Sequence, residues 1–147
     1  MKLITYLTFA GNCEEALNFY KDALGAEVLM VSRMGDGQME VPGELKDKIM
    51  HARLRIGENE LYMSDTFDPS SINKGNNVSL SIQIDDAAEL KKSFDKLSAG
   101  GNVTMPLQKT FWATSFGMFV DKFGIHWMFN CELSERTPSE KQEPALN

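Results

Sequence analysis

Asp121-Lys122-Phe123-Gly124-Ile125-His126-Trp127-Met128-Phe129-Asn130 reads as a turn followed by a strand, and it decides how the chain is assembled. Sixty-four positions earlier, Gly57-Glu58-Asn59-Glu60-Leu61-Tyr62-Met63-Ser64-Asp65 has the same form. At that offset Leu54 matches Met118, Ile56 matches Val120 and Leu61 matches Ile125. Further upstream the offset is 73: Leu7 matches Leu80, Phe9 matches Ile82, Leu17 matches Leu90 and Leu24 matches Leu97. A shorter second connection accounts for the change. Apolar positions that recur at a fixed spacing mark a duplicated unit.

Each copy then reads as βαβββ. Residues 3–10 alternate and are rich in β-branched and aromatic types, which predicts a strand. Asn12 and Glu15 have the spacing of a capping box, and Ala16, Leu17, Phe19, Tyr20, Ala23 and Leu24 recur at helical spacing up to Gly25. Residues 27–33 predict a strand, and residues 34–48 a long mobile loop of the kind that covers sites. Residues 51–56 and 60–65 predict a hairpin around Gly57-Glu58-Asn59. In the second copy, Val78–Ile84 predicts a strand, and Asp86 with Glu89 repeats the cap spacing. Leu90, Phe94 and Leu97 line a helix stopped by Gly100-Gly101, and strands follow at 102–108, 115–120 and 125–131. The expected organisation is a first module at 1–67, a linker at 68–77, a second module at 78–133 and a disordered polar tail at 134–147. The fold class is α+β.

Composition narrows the functions. A chain of 147 residues with 42% hydrophobic and 24% charged residues is an ordinary globular domain or pair of small modules. A net charge of −6 gives no basic field for a phosphate backbone, so nucleic acid is not an expected partner. No apolar run is long enough to span a bilayer and no basic amphipathic face addresses a membrane, which leads to a cytoplasmic expectation. Cys13 and Cys131 are far apart and lack a CxxC partner, as expected of two reduced thiols.

Several local motifs then become recognisable. Tyr6-Leu7-Thr8-Phe9, Gly11-Asn12-Cys13-Glu14-Glu15-Ala16, Tyr20, Leu24-Gly25, His51-Ala52, Met63-Ser64-Asp65, Thr110-Phe111-Trp112-Ala113 and Asp121-Lys122-Phe123-Gly124 with Trp127-Met128 resemble the PhnB-like branch of the vicinal oxygen chelate superfamily. That superfamily contains glyoxalase I, bleomycin-resistance proteins and extradiol dioxygenases. The resemblance implies a curved mixed sheet from each half, helices on the convex side, a ligand cup on the concave side and a homodimer. Members of the branch are often labelled 3-demethylubiquinone-9 3-methyltransferase-like. This sequence lacks the glycine-rich strand-to-helix turn followed by an acidic residue that such a cofactor needs.

Under that resemblance, alternation assigns the faces. Leu7, Phe9, Leu54, Ile56, Leu80, Ile82, Met118 and Val120 are expected under the helices. Tyr6, Thr8, His51, Arg53, Arg55, Tyr62, Ser64, Ser79, Ser81, Gln83, Ser115, Phe119, His126 and Met128 are expected to face the cup. Metal-using members place His or Glu on the first and last strands of each half, and those places fall here on Tyr6, Ser64, Ser79 and Met128. A phenol, two alcohols and a thioether are poor ligands for a divalent ion, so no metal or other cofactor is expected. The residual alternative is a divalent metal recruited by His51 and His126.

Two functional readings follow. The first is a metal-free binder of a small polar, anionic or aromatic molecule, using Tyr6, Arg53, Arg55, Tyr62, Ser64, Ser79, Trp112, Phe119 and Met128. The second is a lyase, isomerase or dioxygenase dependent on a metal or on His51 and His126 as catalytic acid and base. Arg53 and Arg55 project from one face of a strand, where they either pair with acidic residues at the rim or hold an anion through their forked donors. Trp127 alternates onto the helix side, whereas Trp112 precedes a strand and is the better pocket-rim candidate. Cys13 opens a helix whose dipole would lower its pKa, although no partner base is visible.

Overall fold

The computed structural model describes residues 1–132; the tail expected to be disordered lies outside the described residues. The chain divides into two compact units, Met1–Gly75 and Asn76–Asn147. The first contains β1 (Thr5–Phe9), α1 (Cys13–Leu24), β2 (Glu27–Arg33), β3 (Ile49–Ile56) and β4 (Asn59–Asp65). The second contains β5 (Leu80–Gln83), α2 (Ala87–Ser98), β6 (Asn102–Gln108), β7 (Ala113–Val120) and β8 (His126–Glu132). The sheets run β1-β4-β3-β2 and β5-β8-β7-β6. In each, the strand before the helix pairs parallel with the last strand and the other pairs are antiparallel. This is the α+β tandem expected from the repeat. No helix among the described residues is long and apolar enough to cross a membrane.

In the first unit Cys13, Ala16, Leu17, Tyr20 and Ala23 form one buried stripe along α1. The helix ends at Gly25, whose left-handed φ of 62° costs other residues more than glycine. Its stripe covers Leu7, Phe9, Ala52, Leu54, Leu61 and Met63, all buried, with the Phe9 and Tyr20 rings 6.5 Å apart. Asn12 makes no side-chain capping bond, contrary to the capping box expected there. The helix start is satisfied from the far end of the unit instead. Asp65, 5% exposed, accepts from the N–H groups of Gly11 and Cys13 on Oδ1 (3.0 and 2.9 Å) and of Ile49 on Oδ2 (2.9 Å). The second helix uses the local device that its spacing suggested: Asp86 Oδ1 accepts from the N–H of Glu89 at 2.9 Å.

The 34–48 connection is stitched at its base. The N–H groups of Met34 and Gly35 donate to the carbonyls of Lys48 and Lys46, both at 2.9 Å, and Met34 is buried.

In the second unit Leu90, Phe94 and Leu97 face the sheet, and Phe94 packs edge-on against Phe119 and Phe129 at 4.9 and 5.7 Å. Gly117 lies beneath the same ring, where a Cβ would come within 2.8 Å of it. This corrects the faces expected for β7. Phe119, 1% exposed, and Ser115 lie on the helix side, while Met118 and Val120 lie opposite, in register with Met128 and His126. The cause is the hairpin. Ile56 and Asn59 close the first across two residues, whereas Val120 and His126 close the second across five. The ladder from that turn to Trp127 is also shorter than the one from the first turn to Met63, so Phe119 and Trp127 are eight residues apart where Ala52 and Met63 are eleven, and the offset of 64 between β4 and β8 becomes 67 between β3 and β7. An odd difference inverts every side chain of the strand before the turn. The longer turn is held by Asp121, which accepts from the N–H groups of Phe123 (2.9 Å) and Ile125 (3.0 Å) and from Trp127 Nε1 (2.9 Å).

Truncating Asp65 leaves three N–H groups without their charged acceptor, two of these bonds being fully buried. Asp65→Ala is therefore expected to lower unfolding free energy by on the order of 3 kcal/mol or more. Asp65→Asn, which keeps an oxygen for two of the three, should lose less. Urea unfolding of the three proteins checks the order; an Asp65→Ala midpoint equal to wild type would refute it.

Candidate functional site

On the sheet face away from α1, β1, β3 and β4 bring Tyr6, His51, Arg53, Tyr62 and Ser64 together. Strand register puts Tyr6 beside Tyr62, Tyr62 beside Arg53, and Thr8 beside Ser64. Arg53 Nε donates to His51 Nε2 at 3.2 Å. That nitrogen accepts, so the neutral ring carries its proton on Nδ1. Nδ1–H then donates to the Tyr6 hydroxyl oxygen, 3.3 Å away. The Tyr6 hydroxyl in turn donates to Ser64 Oγ at 2.9 Å. The result is a chain of donors running in one direction from Arg53 to Ser64. Its aromatic members are also in contact: the Tyr6 ring stacks on His51 at 5.8 Å, and His51 meets the Tyr62 ring edge-on at 5.1 Å.

Burial, followed by the positive charge of Arg53, holds the His51 pKa below its ordinary value. Both causes favour the neutral ring that the bonding requires. Arg53 is further held by its guanidinium carbon lying 4.7 Å from the Tyr62 ring centre. Among the described residues its two terminal nitrogens have no hydrogen-bond partner, and it forms no salt bridge. The neighbouring Arg55 differs: it is exposed and ion-paired with Glu27, its register partner on β2. Glu60, also on β4, is taken by Lys2 at 2.5 Å.

The other candidates belong to the second unit. Ser79 precedes β5 and is exposed; Ser81 is the register partner of Met128, as Thr8 is of Ser64. Met128 and His126 lie on the second sheet's face away from α2, with Met118 and Val120. Asn130 shares that face, and its amide oxygen is buried without a hydrogen-bond partner among the described residues, the place where a water or ligand N–H would bind. No sequence signal marked it. Phe119 is in the helix-side core, which removes it from the open face. Trp112, in the loop before β7, packs edge-on against Phe111 (4.7 Å) and Phe116 (5.4 Å). Trp127 is buried on the helix side, where it was expected.

The family's metal positions do not fit a divalent ion. Tyr6 and Ser64 are hydrogen-bonded to each other, and Met128 offers a thioether. Among the described residues no three His, Cys, Asp or Glu side chains group closely enough to hold a metal.

The glyoxalase/bleomycin resistance protein/dioxygenase superfamily model matches residues 2–129. The chain belongs to this superfamily. It is 37% identical over 144 residues to protein YjdN of Escherichia coli (strain K12), covering 88% of this chain and 95% of that protein. The crystal structure of protein PA1353 from Pseudomonas aeruginosa superposes with a TM-score of 0.80 at 44% identity, covering 90% of this chain and 98% of that one. A PhnB protein from Bacillus cereus gives a TM-score of 0.77 at 27% identity over 89% of this chain and 99% of that one. These relatives support the PhnB-like branch of the superfamily.

The environment of Cys13 reverses the expectation from its helix position. Burial, with Asp65 and Glu14 adding negative charge, pushes the thiol well above its ordinary pKa. Iodoacetamide at pH 8 should therefore alkylate Cys13 of the native protein on the order of 100-fold more slowly than a free thiol. Peptide mass spectrometry of timed iodoacetamide reactions measures this, and labelling at the free-thiol rate would contradict it.

Proposed function

We propose that this chain is a metal-independent binder of a small anionic or aromatic organic molecule, seated on the open face of the first sheet. The observation that carries this reading is the contrast between two arginines on one strand. Arg55 is neutralised by Glu27, whereas Arg53 is fixed by His51 and Tyr62 with its terminal fork unbonded. A guanidinium positioned in this way offers two parallel donors to a carboxylate and loses little entropy on binding. Tyr6, 47% exposed, and Tyr62 supply rings against which a planar body can lie. Acid–base catalysis by His51 gains no support, because both of its ring nitrogens are already engaged.

Benzoate serves as the probe, followed by NMR titration of the whole chain. Arg53→Met should weaken its binding by about tenfold, the worth of a charged hydrogen-bonded pair. Arg55→Met should change it by less than about twofold, as expected for an exposed ion-paired side chain. Equal losses in the two variants, or none in Arg53→Met, would overturn the assignment. Elemental analysis of protein purified without chelators should find divalent metal well below one per chain; a stoichiometric metal would remove the metal-independent reading.

A further inference from the structure

The direction of the hydrogen-bond chain restricts the ligand more than its charge does. Arg53 and His51 donate along it, and the Tyr6 hydroxyl passes its own proton on to Ser64. Ser64 Oγ is thereby an acceptor toward Tyr6, and its hydroxyl hydrogen has no acceptor among the described residues. Ser64 is 9% exposed, so that hydrogen sits at the deep end of the cluster, with Tyr6 nearer the surface. Hydrogen bonds in series polarise one another, which strengthens the last donor. Protonating His51 does not reverse the chain, since Nδ1–H donates in both states.

We infer that this face selects a carboxylate whose far end presents a hydrogen-bond acceptor, with Ser64 as the specificity-determining donor and Tyr6 as the positioning residue that fixes its direction. The inference rests on the anion-binding reading above. A ketone, ester or nitro oxygen at the far end completes the Ser64 hydroxyl. An N–H there can reach only the remaining lone pair of Oγ and leaves the Ser64 hydrogen unpaired, so it gains less than an acceptor does.

Three probe types separate the possibilities: benzoate, the meta and para isomers of acetylbenzoate, and the meta and para isomers of aminobenzoate. With wild-type protein the better acetylbenzoate should bind about three- to tenfold more tightly than benzoate, the worth of one net hydrogen bond, while aminobenzoate, which leaves the Ser64 hydrogen unpaired, gains less. Ser64→Ala should bring the acetylbenzoate-to-benzoate ratio to one. Tyr6→Phe keeps the ring but frees Ser64 to rotate and accept, so aminobenzoate should gain on acetylbenzoate. A purely structural role for Tyr6 would weaken all probes alike and leave their ratios unchanged. Ratios unmoved in both variants, while Arg53→Met still weakens every probe, would overturn this inference alone. Failure of Arg53→Met to weaken any probe would overturn the anion reading and this one with it.

Discussion

The first unit depends on a single carboxylate. Asp65 closes β4 and gathers N–H groups from the turn before α1, from the first helical residue and from the first residue of β3. Two segments far apart in sequence, residues 11–13 and Ile49, are thereby fixed to the end of β4, and each would otherwise leave a buried donor unpaired. The consequence for function is one of parity. With Asp65 facing the helix, Ser64 must face the other way, as must Tyr62, because successive strand residues alternate. Pairing of Phe9 with Asp65 carries the same alternation into β1, which turns Tyr6 and Thr8 outward. The open-face cluster is thus a geometric corollary of how the helix start is satisfied.

The second unit solves a related problem differently. Its buried aspartate sits in the β7–β8 turn and satisfies the turn itself together with the Trp127 indole. The start of α2 is left to Asp86, a local cap. A five-residue turn that needs its own internal acceptor also inverts β7 relative to β3. The repeat therefore keeps its topology and its parallel β1–β4 and β5–β8 registers, while one strand in four presents opposite residues to the helix.

This explains which parts of the molecule were legible in the sequence. The offset of 73, and that of 64 between β4 and β8, hold because β1 with β4 and β5 with β8 pair identically: Leu7 meets Met63 as Leu80 meets Trp127. The buried stripes of α1 and α2 were visible in their spacing. What failed was β7. Its Met118-Phe119-Val120 run is apolar throughout, so no alternation revealed its face, and only the turn length decides it. The strand expected from Val78 starts at Leu80, which leaves Ser79 just outside it, strand ends being the least reliable part of any assignment made from pattern. Asp65 was noticed as part of a motif, yet its role as a remote cap needs contacts that no local pattern encodes. Arg53 and Arg55 looked equivalent because their spacing is the same; Glu27, one strand away, separates them.

The polarity of the open face bears directly on which sign of charge it suits. A cation is held where lone pairs converge, whereas an anion is held where X–H groups converge. In this chain the side chains at two of the family's ligand places, Tyr6 and Ser64, each accept one hydrogen bond, from His51 and from Tyr6, and leave the Ser64 hydroxyl hydrogen without an acceptor among the described residues. Arg53 adds the same sign at the other end of the chain. A cation site here would need more than one donor exchanged, because a carboxylate at Ser64 would be met by the Tyr6 hydroxyl and, through it, by a line of donors ending in a guanidinium. The same network that stabilises neutral His51 would have to reverse its direction. On the second sheet the corresponding face mixes Met118, Val120 and Met128 with His126, Asn130 and Ser81. Duplication has thus left two frames of the same topology with different surface chemistry: one carrying a directed chain of donors, the other mixed, with a buried amide oxygen left unpaired among the described residues.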